Sequence, residues 1–143
     1  MKKLVNSTLL AITLFALTAS RALAGDLQEM AGKWSLTRTN DNGSVYTQSL
    51  EVTKDKFVFR VMDSDNKIVL YAKGDVKLDK KGEIHSVTFL NIQGGATQDD
   101  LQPVDDDRQC VYVLDGNTLT LGLNFDKDRE KGPRIEIYSR SKT

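Results

Sequence analysis

The sequence predicts an all-β protein whose strands form an antiparallel, up-and-down, eight-stranded β-barrel. Short apolar segments, about eight of them, recur at roughly 8–12-residue spacing, and turn-forming residues separate them. An apolar pattern of period 3.6 never persists for three helical turns, which argues against a helical domain. Most connections are short hairpins between successive strands, and such strands avoid free edges most simply by closing into a barrel.

The N-terminal segment has the three regions of a secretory signal peptide. Residues 1–4 are positively charged, 9–17 form an apolar run, and Ala22-Leu-Ala24 is a small-residue cleavage site. We therefore expect a signal peptide over 1–24 and an exported domain over 25–143, periplasmic or secreted, with no stable membrane anchor after cleavage. An uncleaved amphipathic anchor is the alternative.

The domain itself begins with a helical turn over 26–31, and strands follow to its end. In the first strand Trp34, Leu36 and Arg38 share one face, and small polar residues occupy the other. Gly74 marks a bulge between two halves of the fourth strand region. The predicted strand segments are 33–39, 45–53, 57–62, 68–72, 75–78, 84–92, 110–114, 119–123 and 134–140.

Polar turns separate these segments. Asn40-Asp-Asn-Gly43 is typical of a hairpin, because Asn and Gly tolerate the positive φ that a tight turn needs. Two longer connections are predicted to be irregular. The first covers 93–108 and contains two glycines, a proline and five aspartates; the second covers 126–133.

Charge and cysteine content limit the class of function. Cleavage after Ala24 would remove three basic residues and no acidic one, which changes the net charge from zero to −3. A mildly acidic domain lacks the basic field of a nucleic-acid-binding protein. Cys110 is the single cysteine, so an internal disulfide is excluded and packing must stabilise the fold.

Two features resemble the lipocalin-like group of calycin barrels. Gly32-Lys33-Trp34 matches the G-x-W of that group at the start of its first strand, and Arg140 matches the basic residue near the end of its last strand. The resemblance implies that Arg140 packs over Trp34 at the bottom of the barrel. A guanidinium stacked on an indole would also cover apolar surface there.

An ordered set of further motifs resembles an uncharacterised lipocalin-like domain family of exported planctomycete proteins. The set comprises Asp41-Asn-Gly43, Gly74-Asp-Val-Lys-Leu-Asp79, Tyr112-Val-Leu-Asp-Gly-Asn-Thr-Leu119 and Lys131-Gly-Pro-Arg134, in addition to G-x-W. The resemblance covers most of residues 27–140, although the acid-rich loop before Cys110 departs from the family pattern. It implies the fold and carries no settled activity.

Groups capable of catalysis are few. His85 is the only histidine and shares a strand face with Val87 and Phe89, so it is either a polar group that orients a ligand or a hydrogen-bonded structural residue. Cys110 lies in a strand-like run without any local sign of activation, which favours an inert core thiol over a dyad with His85. We expect no enzyme activity and no cofactor.

Aspartates suggest a metal site only weakly. The segment 63–67 begins like a calcium loop but lacks the required glycine and the closing glutamate. The aspartates of the acidic loop 97–107 could surround a calcium ion, but a solvated loop is favoured because like charges repel. A zinc site is disfavoured by the single histidine and single cysteine.

The remaining hypothesis concerns the barrel interior, which is either filled by side chains or holds one small ligand. The first predicted function is binding of a small apolar or amphipathic molecule there. The alternative is a structural or protein-interaction module of the cell envelope with a filled barrel. The predicted ligand-binding residues are Leu36, Phe57, Phe59, His85, Val87, Phe89, Tyr112 and Leu121, and Val61 is a further interior residue.

Overall fold

The computed structural model describes residues 24–142. Within them, one short helix over 24–30 precedes nine β-strands. The strands are β1 (Gly32–Thr39), β2 (Val45–Thr53), β3 (Lys56–Met62), β4 (Ile68–Lys81), β5 (Ile84–Thr97), β6 (Asp100–Pro103), β7 (Arg108–Asp115), β8 (Thr118–Leu123) and β9 (Arg134–Arg140). The predicted signal peptide lies outside the described residues, except for its last residue, Ala24.

The strands form a closed antiparallel barrel, which confirms the predicted fold class. Except for β6 and β7, strands that follow each other in the chain are paired, and the last strand pairs with the first through Trp34 opposite Arg140. β6 and β7 both pair with β5, with Gln93 opposite Pro103 and Phe89 opposite Arg108. They therefore form one interrupted strand, and the closed barrel has eight strand positions.

The prediction of an irregular segment over 93–108 is wrong. β5 continues to Thr97, and β6 pairs back onto it as a hairpin. The glycines that indicated a loop are instead positions of close approach, since a Cβ added at Gly95 would lie 2.0 Å from the carbonyl oxygen of Asp100. The irregular part is limited to the short connection 104–107.

Gly74 lies at the predicted bulge. The register between β4 and β5 shifts there: Gly74 is the single β4 residue between the pairs Lys73–Gln93 and Asp75–Leu90, and two β5 residues, Asn91 and Ile92, lie opposite it, so the additional residue is on β5. A Cβ at Gly74 would lie 2.4 Å from the carbonyl oxygen of Leu90 and 2.9 Å from the ring of Phe57, and only glycine fits without a shift. β4 is one continuous strand, not two.

The two ends of the barrel differ. The closed end carries helix 24–30 and the hairpin connections after β2, β4 and β7, whereas the open end carries the connections after β1, β3, β5 and β8. Near the closed end the interior is tightly packed. Met30, Trp34, Val87 and Leu119 are at most 1% exposed, and they belong to one continuous apolar core.

Candidate ligand site in the open half of the barrel

The pair Trp34 and Arg140 lies at the closed end. The guanidinium carbon of Arg140 is 4.1 Å from the centre of the indole ring, and the indole nitrogen donates a hydrogen bond of 2.8 Å to the carbonyl oxygen of Met30. Arg140 also donates bonds of 2.8 Å to the carbonyl oxygens of Ala31 and Glu29. One arginine thus covers the tryptophan and holds the end of the helix against β1.

His85 also lies at the closed end, beneath the helix. Its Nδ1 is 2.9 Å from Asp26 Oδ2, and Tyr112 donates its hydroxyl proton to the same oxygen at 3.0 Å. Burial raises the pKa of Tyr112, and the bond to the Asp26 carboxylate raises it further. The geometry links the helix to β5 and β7 and places His85 away from the open end.

Cys110 is only 2% exposed and pairs across the sheet with Val87. Burial raises the pKa of its thiol to about 12, and the nearby charges of Asp126 and Glu136 act in the same direction. A thiol with this pKa is protonated at neutral pH, so it is a poor nucleophile. Its environment is that of a small core residue.

Interior apolar side chains differ in exposure along the barrel axis. Trp34, Phe57, Val87, Tyr112 and Leu121 of the predicted interior set are at most 6% exposed. Leu36, Phe59 and Phe89 of that set are partly exposed and pack against the same core. Other partly exposed side chains on this core are Ala72, Ile92 and Leu123, and, nearer the closed end, Leu27, Leu78 and Leu114. Leu36 and Phe59 lie one alternation further toward the open end than Trp34 and Phe57, so on β1 and β3 the exposure of the inward apolar side chains increases toward the open end.

The apolar wall of this open half is formed mainly by β3 to β5. Phe59 pairs across the sheet with Ala72, and Val61 pairs with Leu70 nearer the rim, where Leu70 is 43% exposed. Phe57 and Phe89 contact each other edge to face, with ring centres 4.8 Å apart. The aromatic pair therefore lies at the boundary between the packed core and the open half.

The opposite wall, on β1, β2 and β9, carries a polar network centred on Glu136, whose side chain is 1% exposed. One carboxylate oxygen, Oε1, accepts hydrogen bonds of 2.9 Å from both Arg38 and Arg134. The other, Oε2, accepts bonds of 3.2 Å from Gln48 and 2.7 Å from the hydroxyl of Tyr138. We call these five residues the Glu136 network.

The electrostatics keep Glu136 ionised. Burial alone would raise the pKa of its carboxyl, but the bonds from Tyr138, Arg134 and Gln48 outweigh that effect and lower the pKa below its ordinary value. Burial and the neighbouring carboxylate charge both raise the pKa of Tyr138, which therefore stays a neutral hydrogen-bond donor. With one carboxylate and two guanidiniums, the network carries a net charge of about +1 at neutral pH.

Apart from Arg38, whose inward face the sequence predicts, the residues of this network lie outside the predicted site, although the sequence contains a signal for them. If Arg140 faces Trp34, the period-two alternation of β9 places Tyr138, Glu136 and Arg134 on the inner face as well. The alternation of β1 likewise places Arg38 on the same face as Trp34 and Leu36. The usual expectation of apolar residues inside failed here, because Ile135 and Ile137 face outward and are 68% and 56% exposed.

The acidic residues before β7 take part in ion pairs. Asp106 is paired with Lys127, Arg129 and Arg108, and these cations lower the pKa of its carboxyl to about 2. Arg129 also bonds Asp126 at 2.9 Å. These contacts fasten the connection after β8 to the one before β7. Among residues 24–142, no three His, Cys, Asp or Glu side chains gather closely enough to hold a metal ion.

A second concave feature lies on the outside of the barrel. It is a groove of about 450 Å³ across β7, β8 and β9, lined mainly by apolar side chains. We call it the outer groove; its lining includes Val111, Val113, Gly122, Phe125, Pro133 and Ile135. A Cβ at Gly122 would lie 2.9 Å from Val111, so the glycine lets the neighbouring side chains close over β8.

Comparison of the chain with protein-family models, with curated proteins and with solved structures gives no match. The lipocalin-like resemblance therefore stays a prediction from the residues. Over residues 24–142, the structure contains no helix with the length and apolar character needed to span a membrane.

Proposed function

We propose that the protein is an exported, lipocalin-like binding protein, not an enzyme, and that it holds a small amphipathic molecule in the open half of its barrel. The observation that carries the proposal is the contrast in exposure inside the barrel. Trp34, Val87 and Leu119, nearer the closed end, are at most 1% exposed, whereas Leu36, Phe59 and Phe89 remain partly exposed although they pack on the same core.

Physical reasoning supports this location. Apolar side chains that water can reach inside a concave surface bind apolar groups favourably, because binding removes their surface from water. The Glu136 network on the opposite wall supplies a few hydrogen-bond donors, and small-molecule sites commonly use such polar groups to orient a ligand. An amphipathic molecule satisfies both walls at once.

Native mass spectrometry with a neutral alkyl alcohol such as dodecanol tests the proposal. The wild-type protein should give an adduct of the mass of the alcohol, and Phe59→Lys should lose it because a charge then occupies the apolar wall. Val113→Lys, on the outer face and 65% exposed, is the matched control and should retain the adduct. An adduct that survives Phe59→Lys, or no adduct with the wild type, contradicts the proposal.

A second candidate function, a protein-interaction module, is favoured by the outer groove. Val113 on β7 and Ile135 and Ile137 on β9 are more than half exposed, and the two strands flank β8, so these β-branched side chains form an exposed apolar patch. We assign a second copy of this chain as the occupant, because a two-fold axis would cover the same apolar side chains on both copies.

Sedimentation velocity at increasing protein concentration tests this second candidate. Self-association that Ile135→Lys abolishes would support it. Ile84→Lys is the control, since Ile84 is 61% exposed but lies at the start of β5, away from the groove. A monomer at every concentration would exclude this occupant.

A further inference from the structure

The Glu136 network has more positive charge than negative. Arg38 and Arg134 both bond to Oε1 of Glu136, so two guanidiniums share one carboxylate oxygen. The second oxygen is already used by Gln48 and Tyr138. One guanidinium charge therefore lacks a carboxylate within the network.

The donors of these two arginines are not exhausted. Each uses one nitrogen toward Glu136, through Nη1 of Arg38 and Nε of Arg134. The other guanidinium nitrogens form no hydrogen bond with the described residues, and an arginine offers five N–H donors in a planar fork. Several donors in the barrel thus have no protein acceptor within residues 24–142.

The exposed fractions of the side chains show that these guanidinium donors face the open end of the barrel. The side chains of Arg38 and Arg134 are each 35% exposed, whereas that of Glu136 is 1% exposed. The carboxylate is sealed below the guanidiniums, which can be reached from the open end. By contrast, Arg108 at the start of β7 is bonded at 3.1 Å to Asp106, which compensates its charge.

We propose that the ligand of the open half is an anionic amphiphile, a carboxylate attached to an apolar chain, whose two oxygens accept hydrogen bonds from Arg38 and Arg134. The inference rests on the proposed function and names the chemical class of its ligand. The carboxylate completes the charge balance of the network, and the chain lies against Leu36, Phe59 and Phe89. Charge-assisted hydrogen bonds between a guanidinium and a carboxylate are stronger than neutral ones. Glu136 has a positioning role, because it holds both guanidiniums side by side.

A series of three ligands with equal alkyl chains separates this inference from the proposed function. Isothermal titration calorimetry at neutral pH compares dodecanoate and dodecyltrimethylammonium, both below their critical micelle concentrations, with dodecanol below its solubility limit. We expect dodecanoate to bind about tenfold or more tightly than dodecanol, and the cation to bind least tightly. If none of the three binds, the proposed function fails; if all three bind equally, only the present inference fails.

Substitutions then test the assignment of the residues. Arg38→Gln and Arg134→Gln should each reduce dodecanoate affinity by about tenfold while changing dodecanol affinity little. Arg60→Gln is the matched control, because Arg60 lies over Tyr71, 5.5 Å from its ring centre, and alternates with Phe59 on β3. A preference for dodecanoate that survives both arginine substitutions would overturn the assignment.

Glu136→Gln gives the opposite and more diagnostic expectation. The glutamine amide oxygen can still accept hydrogen bonds from both guanidiniums, but the negative charge is lost, so dodecanoate affinity should rise and its dependence on salt should increase. A purely structural role of Glu136 would instead lower the affinity for dodecanoate and dodecanol alike, and that result would overturn the charge argument. If Glu136→Gln folds poorly, the binding of the three ligands to the wild-type protein still tests the proposal.

Discussion

Glu136 is the residue whose surroundings depart most from an apolar barrel interior. A carboxylate that is 1% exposed would be strongly destabilising alone, but four donors satisfy its two oxygens. Among the described residues, no buried side-chain nitrogen or oxygen is left without a hydrogen-bond partner. The polar interior is therefore compatible with a stable fold.

The Glu136 network should make the free energy of unfolding depend on pH. Because the pKa of Glu136 is lowered in the folded state, its contribution is fully present above the ordinary value of 4.5 and decreases as the pH falls below it toward the folded pKa. Urea unfolding between neutral and acid pH should show this decrease in the free energy of unfolding. In Glu136→Gln the decrease should be smaller, and at neutral pH the variant should be less stable by about 1–3 kcal/mol.

Glu130→Gln is the control for this experiment, since Glu130 is exposed on the connection after β8. It should leave the pH dependence unchanged. An identical pH dependence in the wild type and Glu136→Gln would show that Glu136 does not contribute in the way described.

Trp34 is the second residue with a predicted consequence. It is fully buried, bonds to Met30 and lies under Arg140, so Trp34→Ala should lower the free energy of unfolding by about 3–5 kcal/mol. Chemical denaturation measures the change. Ile137→Ala, on the exposed outer face, should change it by about 0.5 kcal/mol or less. A Trp34→Ala variant of unchanged stability would contradict the role of this residue at the closed end.

Among the elements, the hairpin of β5 and β6 is the one that local composition predicted incorrectly. Glycines, proline and aspartates are typical of loops, and they predicted an irregular segment. Here the glycines permit close approach of two backbones, a tertiary requirement that local composition does not report.

This interpretation of the hairpin predicts that Gly95→Ala is destabilising. The new methyl group would lie 2.0 Å from the carbonyl oxygen of Asp100, so pairing of β6 with β5 must be disrupted or shifted. Hydrogen exchange should show weaker protection in residues 93–103 of the variant. Gly132→Ala is the control, because a Cβ there meets nothing within 4 Å. Equal protection in the two variants would contradict the close approach.

On β9, sequence reasoning was partly successful. The match of Arg140 to Trp34 correctly predicted which residues meet at the closed end. The same alternation along β9 also places the side chain of Glu136 inside the barrel. A buried carboxylate is a reasonable prediction only when its hydrogen-bond partners on β1 and β2 are known. Those partners come from strands almost one hundred residues away in the chain, as the separations of 98 and 88 residues for Arg38 and Gln48 show.

For the whole molecule, the fold class followed from simple rules. Regular strand spacing, short hairpins and the need to remove free edges together predicted the closed barrel, and those features are local in the sequence. Whether the interior is open depends on how side chains from all eight strand positions fill it. The filling of the interior depends on residue volumes and on the bulge at Gly74. The alternation of residues along the strands therefore does not distinguish a filled barrel from a ligand-bearing one.

The molecule as a whole offers two surfaces, the open half and the outer groove, and chemical-shift mapping by NMR distinguishes them most directly. Titration of the isotope-labelled protein with dodecanoate should shift backbone amides around Leu36, Arg38, Phe59 and Phe89, which line the open half. Amides of the outer groove, such as those of Val113 and Ile135, should shift much less. Shifts confined to β7, β8 and β9 around the outer groove, or no shifts at all, would contradict binding inside the barrel.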